Sequence, residues 1–365
     1  MAKTSVIVAM SGGVDSSVTA ALLLEQGYDV TAVTMRLWDA MLPGAEGKCD
    51  DCCEWMVVED ARRVAGCLGI PYYVIDFRCV FEKKVIDYFI GEYLCGRTPN
   101  PCTVCNRYVK FGALLDWALA FGAEYIATGH YARLGFSGEY GRYTVRRAVD
   151  GRKDQTYALY GLTQRQIART LMPLGEFTKE QVRSIAADLD IPVAGKAESQ
   201  EICFIQDDNY REFLREKTGD VRPGVFLNLE GNVIGEHRGI PFYTVGQRKG
   251  LGIATGERLY VIKIDPERNA ITLGPEEATL GSGLIAGDVN LILYDRLDGP
   301  VEVEAQVRYK GRPAPATLTP LPGGRLKVDF HMPQRSITPG QAVAFYQGDY
   351  LVGGATIESA GITME

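Results

Sequence analysis

The sequence lacks the features of a membrane or secreted protein. Its apolar runs, such as Ala20–Leu24, are far shorter than the roughly 18 residues that a membrane-spanning helix needs. The opening residues Met-Ala-Lys-Thr lead directly into a strand-like run and a glycine loop, which leaves no room for a signal peptide. Apolar residues make up 46% and charged residues 23% of the chain. These values predict a soluble globular protein with a sizeable core.

Cysteine is absent after Cys203, and the total of nine is an odd number. A disulfide scaffold would be smaller and would spread its cysteines evenly, so a reducing cytoplasm is the better interpretation. Acidic residues outnumber basic ones, which gives the chain a net charge of −7. That balance argues against nucleic-acid binding over the whole surface. It leaves room for a local basic face at one of four clusters, Arg142–Arg147, Arg152–Lys153, Arg248–Lys249 and Arg308–Arg312.

Strand and helix patterns alternate through the first half of the chain. Such alternation predicts βαβ units and an α/β fold with a doubly wound parallel sheet. After Arg222-Pro223-Gly224 the pattern changes to short β-rich runs that are broken by turn residues. These runs predict an antiparallel region, made of a small β-rich domain followed by a β-barrel. The domain boundaries that we expect are 1–207, 208–278 and 279–365.

The string Ser11-Gly12-Gly13-Val14-Asp15-Ser16-Ser17 lies between a predicted strand and a predicted helix. Its glycines let the backbone approach an anion, and the helix N-terminus directs N–H groups at that anion. The patterns GxxxxGK[ST] and GxGxxG are absent, and the loop holds no lysine. A carboxylate at Asp15 would repel a phosphate unless a cation lay between them, which suggests Mg²⁺. Alternatively, Asp15 only satisfies the helix dipole.

Two cysteines, Cys105 and Cys203, lie in segments that would suit a reactive thiol. Cys105 follows a proline-stiffened loop and precedes a helix predicted at Tyr108–Ala120, where the positive end of the helix dipole favours a thiolate. A structural role is the alternative. Cys102 and Cys105 form a CxxC, a pattern used for zinc, redox and cluster sites. Cys203 lies in a Glu-Ile-Cys-Phe-Ile segment, and we expect a flexible stretch around Lys196–Glu201 to carry it toward the phosphate loop. Three further cysteines, Cys49, Cys52 and Cys53, could form another metal site or be loop thiols.

The phosphate loop resembles that of the PP-loop ATP pyrophosphatases, which cleave ATP between its α and β phosphates. Over nearly the whole chain the sequence resembles the tRNA-specific 2-thiouridylase family. The motifs that carry this resemblance are, in order, SGGVDSS, GRTPNP, CN and KF, ATGHYAR, KDQTYALY, EICFI, GEHRGIPFYTVGQRKGLGI and AQVRYK.

The resemblance implies an enzyme that adenylates O2 of the wobble uridine of tRNA with ATP and Mg²⁺, and then replaces that oxygen with sulfur from a persulfide donor protein, a cysteine desulfurase or a sulfur-relay protein. Cys105 and Cys203 would be catalytic and would close a disulfide. The implied nucleotide-binding residues are Ala9, Met10, Ser11, Gly12, Gly13, Val14, Asp15, Ser16, Met35 and Gly129. The resemblance also implies that the central domain, 208–278, contacts tRNA. The implied tRNA contacts are His130, Lys153, Asp154, Gln155, Arg308, Tyr309 and Gln341.

One departure from the family pattern opens a second sulfur route. Many family members have aspartate where this chain has Cys102, so Cys102, Cys105 and Cys203 could instead hold a [4Fe–4S] cluster, as in related thiolases. Two other functions compete with thiolation. A PP-loop enzyme that adenylates a small molecule would not need the paired cysteines. A non-enzymatic iron–sulfur or zinc RNA-binding protein would not need the SGGVDSS loop.

Overall fold

The structure is a computed structural model that describes residues 3–38, 51–196, 202–205, 209–219, 221–253 and 257–361, with the side chains of residues 51–55 excepted. Cys49 and residues 197–201 lie outside the described residues, as do the side chains of Cys52 and Cys53. The chain divides into two compact units. The first consists of Met1–Val85, Thr103–Gln200 and Asp349–Leu351, and the second of Ile86–Cys102, Glu201–Gly348 and Val352–Glu365.

A parallel sheet forms the centre of the first unit. Its strands are β1 (Ser5–Ala9), β2 (Asp29–Arg36), β3 (Tyr72–Asp76), β4 (Tyr125–Ala127) and the short β7 (Thr170–Leu171). They lie in the order β3-β2-β1-β4-β7, and every neighbouring pair is parallel. The order reverses direction between β1 and β4, so the crevice beyond their carboxyl ends is where an open α/β sheet binds ligands.

Helices cover this sheet. They are α1 (Val14–Glu25), α2 (Asp51–Leu68), α3 (Arg78–Phe81), α6 (Leu114–Phe121), α7 (Gln164–Ala168) and α8 (Lys179–Asp188). The core contains apolar residues from the strands, such as Val6 and Val8, and from α1, such as Val18 and Leu23. The unit also holds a hairpin of β5 (Arg133–Ser137) and β6 (Arg142–Arg146).

The second unit is mainly β-structure. Besides α4 (Asp87–Leu94) and α9 (Tyr210–Thr218), it contains β8 (Gly224–Leu227), β9 (Val233–His237), β10 (Tyr260–Asp265) and β11 (Ala270–Gly274), ordered β10-β11-β8-β9. A closed barrel follows, whose strands are β12 (Leu280–Leu291), β13 (Val301–Gln306), β14 (Ala314–Leu321), β15 (Arg325–Arg335), β16 (Ala342–Gln347) and β17 (Tyr350–Ala360). Pairing of β12 with both β15 and β17 closes it.

The predicted α/β fold with a central β-rich domain and a β-barrel is confirmed, and three details were wrong. The β-rich region is not wholly antiparallel, because β11 pairs with β8 in parallel. The β5–β6 hairpin was missed, since its basic residues had indicated only a charged surface. The helix predicted at Tyr108–Ala120 begins earlier, at Pro101 of α5 (Pro101–Cys105). Among the helices of the described residues, none combines the length and the apolar content of a membrane span.

Candidate active site

The phosphate loop connects β1 to α1 and requires its first glycine. Gly12 has a φ of +62°, which side chains rarely tolerate. A Cβ atom added there would also lie 2.6 Å from the carbonyl oxygen of Val57. Gly13 directly precedes α1 in an extended conformation. The sequence therefore folds the backbone into a tight turn that ends at a helix N-terminus.

The serines of the loop hold its shape. The hydroxyls of Ser16 and Ser17 both donate to the carbonyl oxygen of Gly13, at 3.2 and 2.8 Å. The backbone N–H of Ser11 donates to Ser16 Oγ at 3.2 Å. Ser17 is fully buried, whereas Ser11 is exposed. Of these serines, Ser11 is therefore the one whose side chain is accessible from solvent.

Gly129 lies directly against this loop. A Cβ atom at Gly129 would come within 2.9 Å of the carbonyl carbon of Asp15 and of the backbone nitrogen of Ser16. Met35, on the other side, is a half-buried residue near the end of β2. Because β1 lies between β2 and β4, the loop sits between the ends of two neighbouring strands. The phosphate loop, Met35 and Gly129, which are three segments predicted to bind the nucleotide, therefore lie near the switch point of the sheet, the place between β1 and β4 where the strand order reverses.

Asp15 is paired with a lysine that the sequence did not reveal. Lys179 Nζ donates to Asp15 Oδ1 at 2.7 Å, and the hydroxyl of Tyr131 donates to the same oxygen at 2.8 Å. The side chain of Lys179 is only 8% exposed and that of Asp15 is 31% exposed, so the lysine end of this ion pair is shielded from water. Both bonds are made to one carboxylate oxygen, and the other, Oδ2, fits Mg²⁺, which commonly uses one carboxylate together with substrate phosphates.

A second lysine reaches the loop from outside it. Lys196 Nζ donates to the carbonyl oxygen of Gly12 at 3.2 Å and to Asp60 Oδ2 at 2.8 Å. Positive charge that is absent from the loop sequence therefore comes from lysines that are distant along the chain. One local sign existed for Lys179, since a lysine at the first position of a helix opposes the helix dipole and needs another reason to be there.

The Lys153–Gln155 segment, which is predicted to touch tRNA, is hydrogen-bonded to Tyr131, one of the partners of Asp15. Gln155 Oε1 accepts from the backbone N–H of Tyr131 at 2.9 Å, and the Gln155 N–H donates to the Tyr131 carbonyl oxygen at 3.0 Å. Asp154 Oδ1 accepts from the Ala148 N–H at 2.8 Å, and burial raises the pKa of Asp154. Tyr131 thus connects the Lys153–Gln155 segment to Asp15 of the phosphate loop.

His130 has a neutral ring in this environment. Its Nδ1 lies 2.8 Å from Thr128 Oγ1, and its ring packs against Phe111 with centroids 5.6 Å apart. Burial and the nearby positive charge of Lys110 lower the pKa of His130 well below its usual value. Any contact of this histidine with RNA would therefore be a hydrogen bond rather than an ion pair.

The lowered pKa of His130 predicts that the folded chain loses stability in acid, and His237 adds to this effect. His237 is buried, and burial lowers its pKa as well. Both groups bind protons more weakly in the folded than in the unfolded chain, so stability is retained above about pH 6.5 and lost below it. We expect the free energy of unfolding to fall by up to about 1.4 kcal/mol per pH unit for each histidine. Urea titrations between about pH 7.5 and 5.5, on either side of the unfolded histidine pKa, measure this slope. Constant stability over that range would contradict it.

The setting of Cys105 differs from the sequence prediction. Proline suits the first position of a helix, so helical structure starts at Pro101 and continues through a π-helical stretch, Asn106–Ala113, into α6. Cys105 therefore lies a full turn inside the helical segment and not before it, and the dipole argument does not apply to it. It is buried, whereas Cys102 in the first turn is exposed.

Cys203 lies in the second unit on a short described segment, residues 202–205. Its thiol is exposed, while the next two residues, Phe204 and Ile205, are buried. The Phe204 ring packs edge-on against Phe89 and Phe213, with centroids 5.3 and 5.5 Å away. Aromatic packing thus anchors the segment and leaves the cysteine accessible to a large partner.

Three predicted tRNA contacts also belong to the second unit. Arg308 Nη2 donates to the carbonyl oxygen of Ser336 at 2.9 Å, and the neighbouring Tyr309 is 46% exposed. Gln341 Nε2 donates to the carbonyl oxygen of Pro99 at 3.1 Å. These bonds fix the backbone around an exposed basic and aromatic surface. Among the described residues, no group of three or more His, Cys, Asp or Glu side chains is placed to hold a metal ion.

Comparisons with known proteins cover all parts of the chain. Family models match residues 4–207, described as "tRNA methyl transferase HUP domain", residues 211–275, described as "tRNA methyl transferase PRC-barrel domain", and residues 281–357, described as "Aminomethyltransferase beta-barrel domain". The chain is 71% identical to the tRNA-specific 2-thiouridylase MnmA of Pelotomaculum thermopropionicum, over 99% of both proteins. It is 61% identical to the protein of that name from Desulforamulus reducens, over 97% of this chain and 96% of the relative.

The chain also resembles one solved tRNA thiolase, at much lower identity. The U34-tRNA thiolase NcsA from Methanococcus maripaludis, solved with its [4Fe-4S] cluster, is 18% identical. The match covers 60% of this chain and 66% of that one, with a TM-score of 0.34. A similarity of this size supports no conclusion about activity or cluster binding.

Proposed function

The chain belongs to the tRNA-specific 2-thiouridylase family, and on that basis we propose that it is an ATP-dependent tRNA-uridine 2-sulfurtransferase. Its reaction converts the wobble uridine of tRNA to 2-thiouridine and releases AMP and pyrophosphate. The structural observation that carries this proposal is the phosphate loop at the switch point of the sheet, closed on one side by Gly129. We place the reaction in the cytoplasm, where tRNA and thiol reductants are available.

Adenylation is the first step of the proposed reaction. The loop N–H groups and the start of α1 bind the phosphates of ATP, and Ser11 contributes a hydroxyl. The uridine O2 attacks the α-phosphorus, the bond between the α and β phosphates breaks, and pyrophosphate leaves. Mg²⁺ bound at Asp15 Oδ2 would neutralise charge on the phosphates. Adenylation is needed because the uridine oxygen is otherwise a poor leaving group.

Sulfur transfer is the second step. A persulfide donor protein loads Cys203, whose exposure suits a protein partner. The terminal sulfur attacks C2 of the uridine and AMP leaves. Attack of the Cys105 thiolate on Cys203 Sγ then breaks the sulfur–sulfur bond, which leaves sulfur on the base and a disulfide between the two cysteines. A cytoplasmic dithiol reductant resets the pair. A [4Fe–4S] cluster held by these two cysteines and Cys102 is the rival route.

The His130 and Lys153–Gln155 segments, with Arg308, Tyr309 and Gln341, are the surfaces that we propose for tRNA. The domain boundaries that we propose remain 1–207, 208–278 and 279–365.

The proposed function is tested by an assay in which one component is omitted at a time. Pyrophosphate release should require ATP and tRNA together, and 2-thiouridine should require the persulfide donor as well. The descriptions of two family models name methyl transfer. Formation of methylated uridine from S-adenosylmethionine, without ATP turnover, would refute the proposal.

A Gly129→Ala substitution should weaken ATP binding by about 10- to 100-fold, since the loop must shift to avoid the new methyl group and misplacement on the ångström scale has effects of this size. Gly138→Ala is the matched control, because an added Cβ there meets no atom within 4 Å. Isothermal titration with a non-hydrolysable ATP analogue measures both. Equal affinity of the two variants would remove Gly129 from the nucleotide site.

A further inference from the structure

A basic glycine loop in the second unit, Gly246–Gly252, carries no role in the reaction described above. Three of its glycines have positive φ angles, +85° at Gly246 and +74° at both Gly250 and Gly252. Arg248 and Lys249 at its tip are exposed. We call this segment the basic loop. Its glycines bring the backbone close to whatever approaches it, and its two charges favour an anion.

The basic loop is held in a fixed shape before any ligand binds. Gln247 Oε1 accepts from the backbone N–H of Thr244 at 3.1 Å, and Gln247 Nε2 donates to the carbonyl oxygen of Lys249 at 2.9 Å. The backbone of Gln247 also accepts from the Val261 N–H at 2.9 Å. A loop with these bonds loses little conformational entropy on binding.

Arg211 on α9 adds a third positive charge beside this loop. Its guanidinium nitrogens would lie 3.5 and 3.7 Å from a Cβ atom at Gly250. Its Nε atom is buried and has no hydrogen-bond acceptor among the described residues. A buried N–H without a partner is costly, and carboxylate and phosphate oxygens are the acceptors that bind an arginine most strongly.

The surface around the basic loop is concave and mostly basic. A cavity of about 390 Å³ is lined by Arg248, Gly250, Leu251 and Gly252, together with Arg258 and Glu257. The lining thus holds two arginines and one glutamate, and the side chains of Lys249 and Arg211 add further positive charge nearby. This local excess of positive charge stands out in a chain whose net charge is −7.

The basic loop also adjoins a residue already proposed to contact tRNA. A Cβ atom at Gly246 would collide with Ser336 Oγ and would lie 3.4 Å from Arg308 Nη2. The Gly246 N–H donates to the carbonyl oxygen of Val261 at 2.8 Å, which fixes this end of the loop beside Arg308. The first residue of the basic loop therefore lies beside Arg308 within the second unit.

We propose that the basic loop and Arg211 form a binding site for backbone phosphates of the substrate RNA, which extends the surface at Arg308. The proposal rests on the proposed function, because it takes tRNA as the ligand. Contacts to phosphates give affinity without sequence readout, so the site fixes the position of the RNA rather than choosing its bases. Each neutralised phosphate also makes binding more dependent on salt.

The test compares two double variants of the full-length protein, each of which removes two positive charges from the second unit. Arg248→Ala/Lys249→Ala removes the charges of the loop tip. Arg268→Ala/Arg325→Ala is the control, because these arginines are exposed and do not line the cavity. The affinity for an unmodified tRNA transcript is measured by filter binding from low to moderate salt, after thermal melting has confirmed that both variants fold.

The loop variant should bind tRNA about 10-fold more weakly at low salt, and the slope of log affinity against log salt should decrease by about 1.5. The control should keep the wild-type slope. Identical slopes for the two variants would overturn the phosphate site while leaving the proposed function intact. Absence of tRNA binding by the wild-type protein would instead refute the proposed function. An Arg211→Lys variant keeps the charge but loses Nε, and wild-type affinity in that variant would exclude Arg211 from the site.

Discussion

A Cys203→Ser variant is expected to lose 2-thiouridine formation by roughly a thousandfold or more, because a serine hydroxyl cannot carry a persulfide and is not ionised near neutral pH. Adenylation should survive, because Cys203 is not among the residues proposed to bind ATP. The measurement pairs liquid chromatography–mass spectrometry of digested tRNA with an assay for pyrophosphate. Loss of the first with retention of the second is the expected signature.

Two further cysteine variants sharpen this prediction. Cys95→Ser is the matched control, because Cys95 is also an exposed thiol of the second unit, and it should retain thiolation. Cys102→Ser separates the two sulfur routes. In the persulfide route iron-free protein with this change still thiolates tRNA, whereas a cluster would lose a ligand, so that iron content and activity would fall together. Full thiolation by Cys203→Ser would refute both routes.

A Lys179→Met variant is expected to weaken ATP binding by about 30-fold, the lower end of the scale for removing one partner of a buried charge pair, because Asp15 is partly exposed. Lys179 Nζ lies 2.7 Å from Asp15 Oδ1 and is largely buried. Without Lys179, the negative charge of Asp15 would repel the phosphates of ATP more strongly. Lys83→Met serves as a control, since Lys83 is an exposed lysine of the same unit. Titration of an ATP analogue gives both affinities.

A double variant, Lys179→Met/Asp15→Asn, tells what the lysine does. If Lys179 only neutralises Asp15, removing both charges should recover part of the lost affinity when the variants are titrated without Mg²⁺, a condition that keeps the proposed metal role of Asp15 out of the comparison. If Lys179 moves to the phosphates when ATP binds, the double variant should bind no better than Lys179→Met. Unchanged affinity in the single variant would show that the ion pair has no part in nucleotide binding.

The loop and the sheet around it could be predicted from sequence because their signals are local. Gly12 is required where the backbone has a positive φ and no space for a side chain, and the strand and helix beside it have clear apolar patterns. Such features depend on neighbouring residues only.

The partners of Asp15 could not be predicted in the same way. Lys179 is 164 positions from Asp15 and Tyr131 is 116 positions away, so only the fold brings them together. The start of the helix at Pro101 was missed for another reason. The two prolines before Cys102 favoured a loop, whereas Pro101 fits the first turn of a helix because it needs no N–H donor there. The predicted roles of Cys105, Cys203 and the tRNA contacts stay predictions.

The most direct test of the account follows the oxygen that is replaced. A tRNA with ¹⁸O at O2 of the wobble uridine is incubated with ATP and with enzyme loaded with persulfide, and the released AMP is analysed by mass spectrometry. Adenylation of O2 predicts that AMP carries one ¹⁸O atom for each 2-thiouridine formed. Unlabelled AMP alongside 2-thiouridine would contradict the account, because the oxygen would then have left without passing through an adenylate.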